Sequence, residues 1–317
     1  MKPFSHLNAK SLKEAQSALK GGKSKMNAGG TDLVNTMKDN ILPDYPELVV
    51  NLKTIPGLDY IKEDTKVLKI GALTRLADIA DNKTIKKNYT ALAQAAGAVA
   101  SPHVREMGTI SGNICQLPRC WYFRKPEVRF KCIRKGGDEC FAMTGDNRYH
   151  SIFGAEMGCL APNPGDTASA LIALNAKVVT TKRTIPVEKF WEVGLPSNTV
   201  LADDEIIKEI QVPKLRRAKS AYMKFALRKS IDFPIVGCAV LINGKTTRIG
   251  MNAVAPMPVR ATKAEKVVSG KKITTSLAEK AGEAAVDGVR PVKAAKYKVQ
   301  IAKTLVKRTL LAAYKTK

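Results

Sequence analysis

The chain has 317 residues, 44% of them hydrophobic, enough for two domains with ordinary cores. Lys and Arg outnumber Asp and Glu by 53 to 28, a formal charge of +25 that raises a nucleic-acid or anionic-surface reading. The basic residues are spread along the whole chain with no recognisable nucleic-acid module beside them, so the charge fits an acidic partner subunit, or a high-salt or alkaline habitat, better than nucleic acid.

No apolar run approaches the roughly 18 residues of a membrane helix, and MKPFSHLNAKS lacks the apolar core of a signal peptide. The expectation is a soluble, cytoplasmic protein with neither membrane nor nucleic acid as partner. In a reducing compartment, clustered cysteines point to metal rather than disulfides.

From the N-terminus, SLKEAQSALK puts Leu12, Ala15 and Leu19 at helical spacing, and SKMNAGGTDLV reads as a strand entering a glycine turn. Gly29 and Gly30 permit positive φ and close backbone approach. Thr31 and Asp32 supply oxygens that cap the next turn or meet a ribose or phosphate, although a plain strand–turn–helix uses the same residues. PELVVNLKTI completes a first small sheet. KVLKIGALTRLADIAD reads as a strand, a turn over residues 71–74 and a capped helix starting near Thr74. KKNYTALAQAAGAVAS reads as a helix ending at Ser101-Pro102, because proline biases its predecessor away from the helix. GTISGN (residues 108–113) is a turn of small and hydroxylated residues where backbone N–H groups can meet an anion.

Downstream of that turn lie Cys120, Cys132, Cys140 and Cys159, separated by eleven, seven and eighteen residues, while Cys115 and Cys238 are left over. No pair forms the CxxC knuckle of most zinc sites, and the set does not match the tight runs of bacterial ferredoxins. Spacing alone leaves an iron–sulfur cluster, zinc and unligated core cysteines equally open. Arg119, Arg124, Arg134 and Lys135 would offset thiolate charge and help set a potential. Beyond this region, DTASALIALNAKVVTTKRTIPVEKFW reads as a helix, a strand and a hairpin return, and LADDEIIKEIQVPK as a strand ended by Pro213. LRRAKSA marks a domain boundary. A strand-rich stretch with a hairpin at Asn243-Gly244 follows, then alanine-rich helices with a solvated lysine face. Cys238, His6 and His103 have no motif that lifts them above structural use.

GGTDLV, IGALTRLADI and HVREMGTISGNI together resemble the FAD-binding subunit of the molybdenum hydroxylases, the xanthine dehydrogenase and carbon monoxide dehydrogenase flavoprotein family. AYMKFALRKSIDFPIVGCAV resembles the start of that family's C-terminal domain, so the likeness covers nearly the whole chain. The segment with RCWYFR, KGGDEC and DNRYHSIFG is similar to the branch with 4-hydroxybenzoyl-CoA reductase and periplasmic aldehyde oxidoreductase, whose flavoprotein carries an extra [4Fe–4S] cluster. The resemblance implies an α+β fold: a two-part FAD-binding domain of the vanillyl-alcohol-oxidase type, then a smaller α/β C-terminal domain with a sheet and helices. The implied boundaries are 1–55, 56–217 with an iron–sulfur insert at about 116–161, and 218–317.

The resemblance also assigns residues. It places the FAD diphosphate on Asn27, Ala28, Gly29, Gly30, Thr31, Asp32 and Leu33, and on Thr109, Ser111, Gly112 and Asn113, with Ala72, Val99 and Ala100 beside the nucleotide. Asp166, Ile206, Ile207 and Lys224 approach the flavin or adenosine. Cys120, Cys132, Cys140 and Cys159 hold the cluster, with His150 and Cys115 as alternatives for the fourth position. Tyr149 departs from one branch, which has cysteine there, and Ser111 stands where the family usually has glycine. No catalytic residue is assigned. The implied function is an electron-transfer flavoprotein subunit of a molybdenum- or tungsten-containing hydroxylase or dehydrogenase, partnered by a [2Fe–2S] small subunit and a molybdopterin large subunit, with room for a higher oligomer. Two other readings stand beside it: a zinc-stabilised basic nucleic-acid-binding protein and a free-standing FAD oxidoreductase.

Overall fold

The computed structural model describes residues 1–316. Three sheets follow one another along the chain. In the first, β1 (Ser5–Asn8), β2 (Ser24–Asn27) and β3 (Leu48–Asn51) run parallel in the order β1-β3-β2. Parallel neighbours need crossovers, and α1 (Leu12–Leu19) and α2 (Leu33–Lys38) lie in the two connections. Ser11 accepts the Glu14 N–H, and the Glu14 carboxylate reaches back to the Lys10 N–H, so both ends of a near capping box are satisfied. Ala15 and Leu19 are buried on the face expected from their spacing.

The second sheet is antiparallel, in the order β4 (Ile61–Glu63), β5 (Val67–Gly71), β8 (Ile207–Pro213), β6 (Lys177–Thr180), β7 (Thr184–Pro186). Its helices depart from expectation in four places. α3 (Leu76–Asp81) starts after Arg75 without a side-chain cap, and the Thr74 hydroxyl donates instead to the Tyr60 carbonyl. The single helix expected before Ser101 divides into α4 (Lys83–Asn88) and α5 (Thr90–Gly97), broken at Tyr89, whose buried ring turns its hydroxyl onto Glu63. Pro102 opens a new helix, α6 (Pro102–Met107), at the position where its missing N–H costs nothing. The GTISGN turn is in fact the capped start of α7 (Ile110–Cys115), with the Thr109 hydroxyl accepting the Gly112 N–H. α8 (Asp166–Ala173) is buried along its whole length.

The third sheet is also antiparallel: β9 (Lys219–Phe225), β10 (Val236–Asn243), β11 (Thr246–Asn252) and β12 (Val259–Arg260). Asn243 pairs with Thr246, so the hairpin loop is Gly244-Lys245, one residue later than expected, with Gly244 at φ +58°. Strand alternation splits β10 between two cores. Val236, Cys238 and Val240 face α9 (Thr262–Val268), α10 (Thr275–Ala285) and α11 (Tyr297–Lys315), while Ala239 and Leu241 join the core of the middle unit. α8 lies so close to β11 that a Cβ on Gly250 would fall 2.2 Å from the Ser169 carbonyl oxygen. This shared wall fixes the C-terminal unit against residues 98–100 and 166. Among the described residues no helix is long and apolar enough to cross a membrane.

Residues 116–161 stand apart. Among them the only helical element is the 3-10 turn Ile133–Lys135, and there is no extended strand. An aromatic group of Trp121, Tyr122, Phe130, Phe141 and Tyr149 around His150 fills the loop in place of regular structure. Phe123 and Cys132 pack with Ile41, just beyond α2.

Candidate functional site

Two glycine-bearing turns meet at one place. The chain leaves β2 at Asn27 and turns through Gly30 at φ +74°. Gly29 rests on the end of α6, where a Cβ would fall 2.1 Å from the Met107 carbonyl oxygen. Among the described residues the N–H groups of residues 29–33 find no acceptor, and the buried Asn27 Oδ1 has no partner. A loop of free N–H groups beside an orphaned polar atom fits a phosphate-bearing ligand. The second turn is held by its neighbours: the Ser111 N–H donates to the Ala72 carbonyl, and the Asn113 side chain accepts the Thr167 hydroxyl at 2.5 Å. Thr109 and Ser111 bring their hydroxyls within 3.4 Å. Ser111 is not among the positive-φ residues, so serine stands in the glycine position without backbone strain.

Asp32 is not the cap its position suggested. It makes no side-chain cap to α2. Its carboxylate instead accepts the Leu117 N–H at 2.9 Å and pairs with Arg119 and Arg124 at 2.8 and 2.9 Å. Arg119 also lies over the Phe233 ring, 4.6 Å from its centre, and the Arg124 Nη1 donates to Thr36. Asp32 thus ties the first glycine turn to the cysteine loop and, through Arg119, to the C-terminal unit.

A second buried network links the remaining predicted residues. Asp166, at the start of α8, accepts the Tyr222 hydroxyl at 2.5 Å and the Lys224 ammonium at 3.1 Å. Lys224 also donates to the Ala98 carbonyl at 2.9 Å. Val99 is held through its carbonyl by Arg105, and Ala100, at φ +44°, through its carbonyl by the Ile231 N–H. Burial pushes the Asp166 carboxyl up to about 6, with Lys224 pulling the other way. Beside this network opens a cavity of about 340 Å³ whose lining includes Gln94, Ala98, Tyr222, Lys224 and Arg228. Ile206 and Ile207 bury their side chains in two different cores and are not part of that lining. A larger cavity of about 490 Å³, among α3, α4, α5 and α6, contains none of the residues predicted from sequence. Sequence reasoning missed Tyr222. It stands two residues before Lys224 on one strand, and the period of two that puts both on one face was a signal available for it.

The four predicted cysteines come together. Burial pushes the Cys120 thiol up to about 12, and Cys159 and Cys132 are near enough to add to it. Burial likewise raises Cys132, with Cys159 and Cys140 adding and Lys135 opposing. Cys115 is pushed up to about 12 by burial alone, with no thiol neighbour contributing. His150 places Nε2 3.2 Å from Cys120 Sγ, while its Nδ1 is buried without a partner. Burial, with Lys298 adding, lowers His150 to about 4 and keeps it neutral. Lys298, itself buried, donates to the His150 and Ala253 carbonyls at 2.9 and 2.6 Å and so anchors the end of the loop to α11. Among the described residues no group of three His, Cys, Asp or Glu side chains could hold a metal ion as it stands. Two cationic side chains nevertheless turn toward this region. The Arg134 Nε donates to Cys159 Sγ at 3.3 Å, and the buried Lys135 ammonium has no hydrogen-bond partner at all. Those donors fit a thiolate-bound cluster.

The geometry agrees with what the chain is similar to. The family model described as FAD binding domain in molybdopterin dehydrogenase matches residues 2–215, and that of the CO dehydrogenase flavoprotein C-terminal domain matches residues 220–313. The aldehyde oxidoreductase FAD-binding subunit PaoB of Escherichia coli is 31% identical, over 85% of this chain and 87% of its own length. The carbon monoxide dehydrogenase medium chain of Hydrogenophaga pseudoflava is 29% identical, over 98% of this chain and 97% of its own. A solved carbon monoxide dehydrogenase from Hydrogenophaga pseudoflava, lacking the Mo-pyranopterin moiety, superposes with a TM-score of 0.77 at 27% identity, covering 99% of this chain and 98% of that one. The mixed helix-and-sheet fold, an FAD-binding domain followed by a smaller C-terminal domain, is the one expected. The nucleic-acid reading and the free-standing flavoprotein reading find no support among these proteins. The chain belongs to the molybdenum hydroxylase family of CO dehydrogenase and xanthine dehydrogenase, as an FAD-binding medium subunit.

Proposed function

We propose that this chain carries FAD and one [4Fe–4S] cluster and passes electrons between a partner's iron–sulfur centres and an external acceptor or donor. One observation carries the reading: the loop of free N–H groups at residues 29–33 is joined through Asp32 to a loop where buried Arg134 and Lys135 accompany four thiols. The first feature suits a diphosphate. The second suits an anionic thiolate centre, because an unpaired buried cation is costly.

The chemistry FAD supplies when bound is both two-electron and one-electron exchange at its ring, and a [4Fe–4S] cluster supplies a one-electron port. The chain's own residues bind and orient. Asn27, Ala28, Gly29, Gly30, Thr31 and Leu33, with Thr109, Ser111, Gly112 and Asn113, would hold the diphosphate, and Ala72, Val99 and Ala100 would border the nucleotide. Asp32 would hold the first turn rather than touch the ligand. Asp166 and Lys224, beside the 340 Å³ cavity, would orient the flavin ring, and the Asp166 carboxyl, near 6, can hold or release a proton close to neutrality. Cys120, Cys132, Cys140 and Cys159 would ligate the cluster. Cys159 is preferred to Cys115 because it lies among the other thiols, and to His150 because it accepts a cationic donor.

The partners proposed are a [2Fe–2S] small subunit and a molybdopterin large subunit, where the organic substrate would be transformed. Relatives named as a medium chain and as a subunit of a dehydrogenase complex support this. Six free thiols suit a reducing compartment, the cytoplasm. Purified anaerobically, the single chain should show flavin and broad iron–sulfur absorption and reduce dyes. It should turn over organic substrate only when both partner subunits are present. Turnover of such a substrate by the chain alone would overturn the proposal.

A further inference from the structure

Four cations flank the thiols in sequence, and the fold sorts them into two pairs. Arg119 and Arg124 turn to the Asp32 carboxylate. Arg134 and Lys135, in the turn directly after Cys132, turn inward and are buried to 1% and 4% exposure. The inward pair then divides again. The Arg134 Nε meets Cys159 Sγ, its Nη1 donates to the Ser197 carbonyl and to Asn198 Oδ1, and the guanidinium is thereby fixed in place. Lys135 has no such frame. Its Nζ lacks any hydrogen-bond partner, no carboxylate lies within ion-pair distance among the described residues, and the Phe123 ring centre is 5.5 Å away. That ring packs with Cys132 and Cys120, and the Lys135 N–H donates to the Cys132 carbonyl at 2.7 Å. Burial works against the ammonium and lowers Lys135, with Arg124 adding to that, while Cys132 and Cys120, as thiolates, favour it.

A buried ammonium with neither carboxylate nor carbonyl is retained only against negative charge nearby. Lys135 therefore differs in role from the other three cations, which position a carboxylate, a loop or a sulfur. We propose that Lys135 is the charge-compensating residue of the thiolate site, and that its ammonium raises the reduction potential of the cluster held there. The inference rests on the cluster reading above. When the site takes up one electron it gains one negative charge and no bond to Lys135 forms. A fixed positive charge in a poorly screened interior favours that more negative state, so removing it makes the electron harder to accept.

The test begins with iron, sulfide and FAD in the unsubstituted full chain, purified anaerobically. Absence of iron and sulfide at that stage sinks the cluster reading itself. With the cluster present, Lys135→Met, Lys135→Gln and Lys135→Arg are compared by redox titration with dithionite, monitored by electron paramagnetic resonance. The expected result is full iron and FAD in all three, a midpoint potential shifted negative in the Met and Gln variants, and a potential close to the unsubstituted value in the Arg variant. Iron lost from the Met and Gln variants but kept in the Arg variant, with FAD unchanged, also supports charge compensation, now at the level of assembly. Unchanged potential at full iron in the Met and Gln variants overturns the proposal. So does loss of iron from all three variants, which assigns Lys135 a packing role.

Discussion

Residues 27–33 and residues 116–161 meet at Asp32, and they are held by different kinds of interaction. The first stretch is shaped by backbone: a strand end, a glycine at positive φ, a glycine pressed against a carbonyl, and N–H groups without acceptors among the described residues. The second has almost no backbone ladder and is shaped by side chains, through an aromatic group, two buried cations, a buried lysine on two carbonyls and four thiols. A backbone-built cradle depends on a few residues that must be small, so it is robust to its surroundings. A side-chain-built loop depends on partners brought from elsewhere in the chain, so it should rely more on whatever it binds.

The sharpest way to break the comparison is at the junction. Asp32→Asn removes the charge that Arg119 and Arg124 share, leaving two poorly exposed guanidinium groups uncompensated. Breaking such a pair costs about 3–5 kcal/mol when buried, and less here because the groups keep some exposure. FAD and iron contents should fall together, measured on one preparation. A variant that lost FAD and kept all its iron would show that Asp32 serves the nucleotide alone.

A smaller effect sharpens the comparison from outside both stretches, at the side-chain network where Asp166 is the buried titrating group. In the unfolded chain an aspartate titrates near its ordinary value, about 3.9; in the fold burial pushes Asp166 up to about 6. Between those values the folded protein holds a proton that the unfolded chain has lost, so stability is greater at low pH, declines as pH rises through this window, and levels off above it. The decline should be about 2–3 kcal/mol. Denaturant midpoints measured from pH 4 to pH 7 should show it, and Asp166→Asn should flatten the profile. An equally steep profile in the variant would move the effect to another group.

The same division explains what was legible in the sequence. Gly29, Gly30 and the GTISGN run could be read because residue type alone limits backbone conformation and approach. Most strands of the three sheets could be read from residue type and punctuation, but β1 and β4, three or four residues each, drew no strand reading. The division of α4 from α5 could not, since it falls at Tyr89, whose hydroxyl partner Glu63 comes from another part of the fold. Nor could the fate of Asp32, because its partners arrive from a loop some 85 residues downstream. The four cysteines were visible as types. The sorting of Arg119, Arg124, Arg134 and Lys135 into outward and inward pairs was not, because four basic residues in one irregular loop carry no periodicity that assigns them a direction.

The account's central claim is that one chain holds two redox groups on separate supports, and a crossed measurement of content tests it most directly. FAD, iron and acid-labile sulfide per chain are determined in anaerobically purified Gly29→Val and Cys132→Ser proteins, with Cys238→Ser as control. In Gly29→Val the added side chain meets the Met107 carbonyl at the distance a Cβ would have, 2.1 Å, so FAD should be lost while iron and sulfide stay. In Cys132→Ser iron and sulfide should be lost while FAD stays, and Cys238→Ser, whose thiol is buried in the C-terminal core, should keep all three. Full iron and sulfide in Cys132→Ser, or zinc in place of iron throughout, would contradict the account.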